Sequence, residues 1–273
     1  MSDSLPNTGL PVEEAIAELR DALVSRRHSV LIAPPGAGKT TLVPLRLLHE
    51  NWVAGRKIVM LEPRRLAARA AAQRMAHMLG EKVGDTVGYQ TRDERKIGAN
   101  TRIEVLTEGI LTRRLQNDPT LDGTALVIFD EVHERNVPTD LGLAFLLDAI
   151  KTFSTDVKIL AMSATAQTQL FAHVLADDQG DAPIVTSEGR TFPIDVRYVP
   201  RQRNDRLENA ITDVVLGALN TDDGDILVFL PGIGEINRAQ TLLKERVAGN
   251  VDVLRLAGAL PFSEQDAALN ASG

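Results

Sequence analysis

The sequence predicts an α/β fold built on a parallel sheet covered by helices on both faces, and three observations carry that expectation. Strand-like runs alternate with helical patterns along the chain. Several of the runs are apolar almost throughout, at 30–32 (VLI), 57–62 (KIVMLE), 125–130 (ALVIFD) and 158–162 (KILAM), as strands buried on both sides must be. Two of them run directly into residues suited to phosphate chemistry.

Composition bounds the rest. With 273 residues and 44% hydrophobic content the chain can bury a sizeable core in one large or two smaller domains. The absence of cysteine excludes disulfides and thiolate metal sites and fits a reducing compartment. No apolar run approaches the roughly twenty residues needed to span a bilayer. The N-terminus, MSDSLPNTGL, lacks a basic region followed by an apolar stretch, so a cytoplasmic location is expected. Thirty Lys and Arg against 37 Asp and Glu give a net charge of −7, which argues against a surface coated with basic charge. Any nucleic-acid contact must be local.

Residues 1–10 read as a flexible tail. Pro11 suits a first helical position, Glu13 and Glu14 suit the first turn, and Val12, Ile16, Leu19 and Leu23 recur at helical spacing. The strand at 30–32 then stops at Pro34-Pro35, a Gly36-Ala37-Gly38 loop follows, and Lys39-Thr40-Thr41 opens a helix that continues through 42–49. Glycine permits backbone conformations closed to other residues, so successive N–H groups can point at phosphate oxygens, aided by the helix N-terminus. Lys39 can reach β- and γ-phosphates, and the Thr40 hydroxyl can take one position on Mg²⁺. Against the pattern G-x-x-x-x-G-K-[ST] there is one departure, Ala33 in place of the first Gly. Ala33 precedes the Gly36–Gly38 turn, and the cradle amides come from residues after it.

Further strands are expected at 57–62, 102–106, 125–130 and 158–162, with helices at 64–79, 109–116 and 141–150. Ligands of open α/β sheets gather at the carboxyl ends of strands. Asp130, ending ALVIFD, should therefore face the same crevice as Lys39. There Asp130 can hold Mg²⁺ while Glu131 orients and polarises the attacking water. A strand followed by a solvated acidic turn is the bland alternative, and the phosphate loop upstream argues against it. His133, on chemistry alone, reads as a local hydrogen-bonding residue. Arg56, Lys57, Arg64, Arg65, Arg69 and Arg74 make the segment around Glu62-Pro63-Arg64-Arg65 the most basic in the chain. A phosphate backbone suits such a stretch, as does a solvated helix face. Thr107-Glu108-Gly109 and Ser163-Ala164-Thr165 also follow strands, where small hydroxyl residues are common caps.

In this order, APPGAGKT, EPRRLAARAAAQRMA, TEG, DEVHER, SAT and ILVFLPGIGEI resemble motifs I, Ia, Ib, II, III and IV of the superfamily 2 DEAH-box helicases. The spellings EPRRLAA, SEGRTFPIDVRY and LAGALPFSEQ are most similar to the bacterial HrpB-type subgroup of these ATP-dependent RNA helicases. The resemblance covers residues 10–268 and implies two RecA-like domains facing each other across the nucleotide. It implies nucleotide binding by Gly36, Ala37, Gly38, Lys39, Thr40 and Thr41, with Mg²⁺ at Thr40 and Asp130 and water activation at Glu131. His133, Ser163 and Thr165 would link hydrolysis to domain movement. Arg64, Arg65, Thr107, Glu108 and Gly109 would touch the backbone of single-stranded RNA, with DNA as a second candidate, and Arg74 would stack on the nucleotide base. ATP is the implied nucleotide, with other nucleoside triphosphates also accepted. Val132 stands where the family name has Ala, at a position expected to face the core.

The first RecA-like domain is expected at 11–186, a linker at 187–205 where Gly- and Pro-containing polar segments interrupt the pattern, and a second, incomplete domain at 206–273. In the second, helices are expected at 206–219 and 234–247 and strands at 225–230 and 251–256. No Thr-Asn-x-Ala-Glu-like motif V or Gln-x-x-Gly-Arg-x-Gly-Arg-like motif VI follows residue 256, so weak hydrolysis is expected of this chain. A nucleotide-dependent single-strand RNA-binding module, or a partner-regulated ATPase that does not unwind, is the alternative of a different class. A small-molecule kinase has no use for EPRR, TEG and DEVH.

Overall fold

In the computed structural model, which describes residues 6–165, 168–189, 193–201 and 204–269, the chain divides into two units, 1–192 and 193–273. The expected linker at 187–205 contains residues 190–192 and 202–203, and the expected tail contains residues 1–5, all outside the described residues. Residues 6–10 make contacts with the first unit, described below.

Among the described residues, the first unit is built on eight strands: β1 (His28–Ile32), β2 (Lys57–Leu61), β3 (Val87–Gln90), β4 (Arg95–Lys96), β5 (Ile103–Leu106), β6 (Thr124–Phe129), β7 (Lys158–Ser163) and β8 (Ile184–Thr186). They form one sheet in the order β4-β3-β5-β2-β6-β7-β1-β8. Every pairing is parallel except β3 with the short edge strand β4. Parallel neighbours need crossovers, and the helices supply them: α1 (Ile16–Ser25), α2 (Lys39–Leu47), α3 (Arg65–Met78), α4 (Ile110–Asn117), α5 (Val137–Phe153) and α6 (Gln169–Val174).

Side-chain alternation along each strand separates two cores. Leu31, Ile58, Met60, Leu126, Ile128, Leu160 and Met162 face one way, into a core shared with α1, α2 and α3. Their sequence neighbours Val30, Val59, Leu61, Val127, Phe129, Ile159 and Ala161 face the other, against α4, α5 and α6. That is the period-two consequence of the pleat, and it explains why these strands are apolar on both faces. Val132 is buried in the second core, as its position predicts.

The sequence of strand ends matters most for function. Reading across the carboxyl edge of the sheet, one meets Thr107 after β5, Glu62 after β2, Asp130 after β6, Ser163 at the end of β7, and the phosphate loop after β1. Five stretches scattered over some 130 residues of chain thus lie side by side, because parallel strands all end on the same edge.

The second unit contains α7 (Leu207–Thr221), α8 (Ile233–Arg246) and α9 (Phe262–Leu269). The strands expected at 225–230 and 251–256 do not form: both segments are without strand pairing. A strand exists only where a neighbour supplies hydrogen-bond partners, and among the described residues none pairs with them. Several of their apolar side chains stay exposed, among them Leu227 at 73% and Phe229 at 86%, while Val228, Leu230, Val251 and Val253 are half-buried.

Candidate active site

The phosphate loop takes its shape from two glycines and a continued strand. Ala33 N–H donates to the Ser163 carbonyl at 3.0 Å, so the residue in place of the first motif glycine simply extends β1 toward β7. Its methyl group is fully buried in the core, which is why alanine is accommodated. Gly36 and Gly38 both have positive φ, at 78° and 94°, where a side chain would be strained. Gly38 is also the N-cap of α2, and its carbonyl accepts the Leu42 N–H at 2.8 Å.

From the first turn of α2, Lys39 and Thr40 meet the two carboxylates that follow β6. Lys39 Nζ donates to Glu131 Oε1 at 2.7 Å, and Thr40 Oγ1 donates to Asp130 Oδ2 at 2.6 Å. The Glu131 N–H donates to Asp130 Oδ1 at 2.8 Å, fixing the second carboxylate oxygen. Asp130 N–H in turn donates to the Leu61 carbonyl at 3.0 Å, which ties the end of β6 to that of β2. Glu131 has φ 53° and ψ 36°, a left-handed conformation that is uncommon for a residue with a side chain and tends to mark functional turns. Lys39 is buried, and Asp130 is only 1% exposed.

Crowded acid groups dominate the electrostatics. Burial pushes Asp130 up to about 6, against the pull of the Thr40 hydroxyl and the Lys39 ammonium. Glu62, at the end of β2, is buried as well, and burial together with the nearby Asp130, Glu131 and Glu134 charges pushes it up to about 8, with Lys39 opposing. Crowding of these carboxyl groups around one lysine opposes their ionisation, and an added cation would favour it. The Thr40 hydroxyl and Asp130 carboxylate, already in contact, are hard oxygen donors of the kind Mg²⁺ takes alongside water and phosphate oxygens. The donor set therefore fits Mg²⁺. Glu62 is the residue that sequence reasoning passed over: EPRR marked its place, but nothing in the spelling shows that its carboxyl lies inward beside Asp130.

His133 lies between the acidic turn and the end of β7. Its Nδ1 is 3.3 Å from Glu131 Oε2 and also within 3.4 Å of the Ala164 N–H. One nitrogen cannot donate to the first and accept from the second at once, so the ring's tautomer selects which neighbour it holds. Ser163 Oγ donates to the Thr165 carbonyl at 3.1 Å and accepts the Thr165 N–H at 3.1 Å, closing a tight turn. The fold thus brings His133, Ser163, Ala164 and Thr165 together beside Glu131.

The stretches matching Ia and Ib occupy the next two strand ends. Arg64 donates to Glu134 Oε1 at 2.7 Å while staying 71% exposed, and Arg65 pairs with Asp93 while also exposed. Exposed pairs of this kind contribute little, so both guanidinium groups are free to exchange partners. Glu108 accepts a hydrogen bond from the Thr139 hydroxyl at 3.0 Å. Burial, with the Glu134 charge behind it, raises the Glu108 carboxyl above the ordinary range. Gly109 adopts φ 74° as the N-cap of α4, and Thr107 is buried. Arg74 lies on the exposed face of α3.

Fold and site together define a phosphate-loop protein of RecA-like architecture, with a strand-end Asp-Glu pair facing the loop. The chain matches the DEAD/DEAH box helicase family over residues 13–172 and belongs to that family. It is 46% identical over 262 residues to the ATP-dependent RNA helicase HrpB of Escherichia coli (strain K12), a match covering 96% of this chain and 32% of that protein. An ATP-dependent RNA helicase HrpA homolog of Haemophilus influenzae is 32% identical over 271 residues, covering 97% of this chain and 20% of the relative. The crystal structure of the Escherichia coli DEAH/RHA helicase HrpB matches with a TM-score of 0.86 and 45% identity, over 96% of this chain and 33% of that one. The chain therefore spans about a third of the HrpB length and a fifth of the HrpA homolog's. Among the described residues no helix is long and apolar enough to cross a membrane.

Proposed function

We propose that this chain carries the nucleotide-hydrolysing motor of an ATP-dependent RNA helicase. The observation that carries the reading is the meeting of Lys39 with Glu131 and Thr40 with Asp130 across two strand ends. In this reading the Gly36–Thr41 amides and Lys39 bind the triphosphate, ATP first and other nucleoside triphosphates with it. Thr40 and Asp130 hold Mg²⁺, which when bound neutralises the transferring phosphate. Glu131 orients the attacking water and takes its proton, Lys39 having moved from Glu131 to the phosphates. His133, Ser163 and Thr165 pass the change on, and Arg74 stacks on the base. Arg64, Arg65, Thr107, Glu108 and Gly109 bind the sugar-phosphate backbone of a single strand of RNA, or of DNA. Residues 11–186 serve as the first motor domain, 187–205 as linker and 206–273 as part of the second. A cytoplasmic location accompanies the reading.

Nucleotide-binding and ATPase measurements with and without single-stranded RNA test it. Hydrolysis should be slow alone, stimulated by RNA, and lost in Lys39→Ala together with tight triphosphate binding. Undiminished ATP affinity in Lys39→Ala would overturn the assignment of the loop. Nucleotide-dependent RNA binding without any RNA-stimulated turnover would favour a binding module instead.

A further inference from the structure

The phosphate loop has two halves, and different parts of the chain brace them. The Pro34 half is fixed by β-strand continuation, through Ala33 N–H to the Ser163 carbonyl, and by Gly189, whose lack of a side chain lets the backbone lie against the Pro34 ring. The Ala37–Gly38 half has no sheet neighbour. Its Ala37 N–H donates back to the Pro34 carbonyl at 3.2 Å and its Gly38 carbonyl accepts from α2, while the Ala37 carbonyl is held by the short stretch that precedes α1.

Three contacts make that hold. The Val12 N–H donates to the Ala37 carbonyl at 3.1 Å. Leu10 fills the space beside Gly38: a Cβ placed on Gly38 would lie 2.8 Å from Leu10 Cδ1 and 3.2 Å from its Cβ. Glu13 then fastens the stretch to α2, the helix that starts at Lys39, by accepting from Arg46 Nη2 at 2.6 Å and Nε at 3.1 Å. Glu13 Oε1 also accepts the Thr8 N–H at 3.1 Å, and Arg46 Nη2 donates to the Pro6 carbonyl at 2.9 Å. Val12 is fully buried, and the Arg46 side chain is 5% exposed.

The geometry has a consequence for the loop amides. A trans peptide is planar, so its C=O and N–H point in opposite directions. Holding the Ala37 carbonyl toward Val12 turns the Gly38 N–H away from the clasp. A loop that cradles phosphate works through the direction of such N–H groups, and Gly38 is the residue with no side chain to hold its own peptide in place.

We propose that residues 8–13 act as a positioning clasp for the phosphate loop, with Val12 N–H and the Leu10 side chain holding the Ala37–Gly38 peptide in the orientation that receives a triphosphate. This rests on the reading of residues 36–41 as a triphosphate site. Leu10, Val12 and Glu13 are positioning residues: they act on the nucleotide through the Ala37–Gly38 peptide.

The test compares the 273-residue wild type with Leu10→Ala, Glu13→Gln, Lys39→Ala and Ile16→Val, the last a core change in α1 that leaves the clasp intact. Affinity for ADP with Mg²⁺ is measured by calorimetry at a temperature where circular dichroism shows every variant folded, and KM and kcat for ATP are measured alongside. Leu10→Ala and Glu13→Gln should each weaken nucleotide binding and raise KM by roughly three- to tenfold, the worth of one hydrogen bond or small packing contact. Their kcat at saturating ATP should not change, and Ile16→Val should match wild type throughout. Wild-type affinity in both clasp variants, with Lys39→Ala still losing binding, would overturn the clasp and leave the site reading intact. A uniform loss that includes Ile16→Val would also overturn it, since general loosening would then account for the effect. Equal binding by wild type and Lys39→Ala would instead remove the site reading, and the clasp with it.

Discussion

His28 opens the strand that carries the phosphate loop, and it makes the first unit sensitive to acid. The residue is 5% exposed, and its Nδ1 accepts the Ile159 N–H at 3.1 Å, linking β1 to β7. Only a ring with an unprotonated Nδ1 can accept that bond. Burial pushes the pKa from 6.5 down to about 4, with the Arg27 and Lys158 charges reinforcing the effect and Asp177 opposing it. An unfolded chain takes up this proton near pH 6.5, while the native protein resists it until about pH 4. Between those values the unfolded state binds more protons, so stability is complete above pH 6.5 and falls as the pH falls. At about 1.4 kcal/mol per pH unit, the whole window is worth about 3 kcal/mol and is exhausted below about pH 4. His28→Asn keeps an acceptor without a titrating group. Urea unfolding followed through Trp52, the sole tryptophan, should be measured for both proteins from pH 7.5 to 4.5. The difference between them cancels the other titrating groups. It should move in favour of the variant by about 2–3 kcal/mol across the range. Parallel curves would refute the neutral, buried histidine.

Glu131→Gln should retain nucleotide binding while turnover falls by a factor on the order of 10² or more; equal loss of binding and turnover would point to a structural role. Replacing Arg64 and Arg65 together by Ala should weaken single-stranded RNA binding to a similar extent for unrelated sequences and flatten its salt dependence, whereas a sequence-selective loss would contradict backbone contact. Limited chymotrypsin digestion should cut first after Tyr198 and Phe229, which are 91% and 86% exposed outside any helix or strand, and fragments starting within β1–β7 would show the opposite order of stability.

The central strands were legible because burial on both faces leaves a near-continuous apolar run, and in KIVML, ALVIF and KILAM little else competes. The phosphate loop and the Asp130-Glu131 pair were legible for a chemical reason: their residue types recur at fixed positions relative to a strand end. The edges of the sheet were not. β3 includes Gly88, β4 has two residues and β8 three, and such strands exist because a formed neighbour offers them hydrogen bonds. The same dependence misled in the other direction at 225–230, where a strand-like run has no pairing neighbour among the described residues. The surroundings of Glu62, Leu10 and His28 were illegible because they depend on what the fold packs beside them. Residues 1–10 read as a tail by composition, yet Leu10 lies against Gly38.

The strand order β5-β2-β6-β7-β1 sets a lateral distance between the two expected ligands. Four inter-strand steps of about 4.8 Å separate Thr107 from the phosphate loop by roughly 19 Å. At Thr107 a nucleic-acid strand would clear the nucleotide phosphates, while Arg64 and Arg65, after β2, lie one strand closer to them. Saturating concentrations of one should therefore not abolish binding of the other. Any influence of one on the other would be a free-energy coupling through the strand ends between them, where His133 lies beside Glu131 and Ala164. Such coupling is reciprocal: the factor by which RNA alters nucleotide affinity must equal the factor by which nucleotide alters RNA affinity.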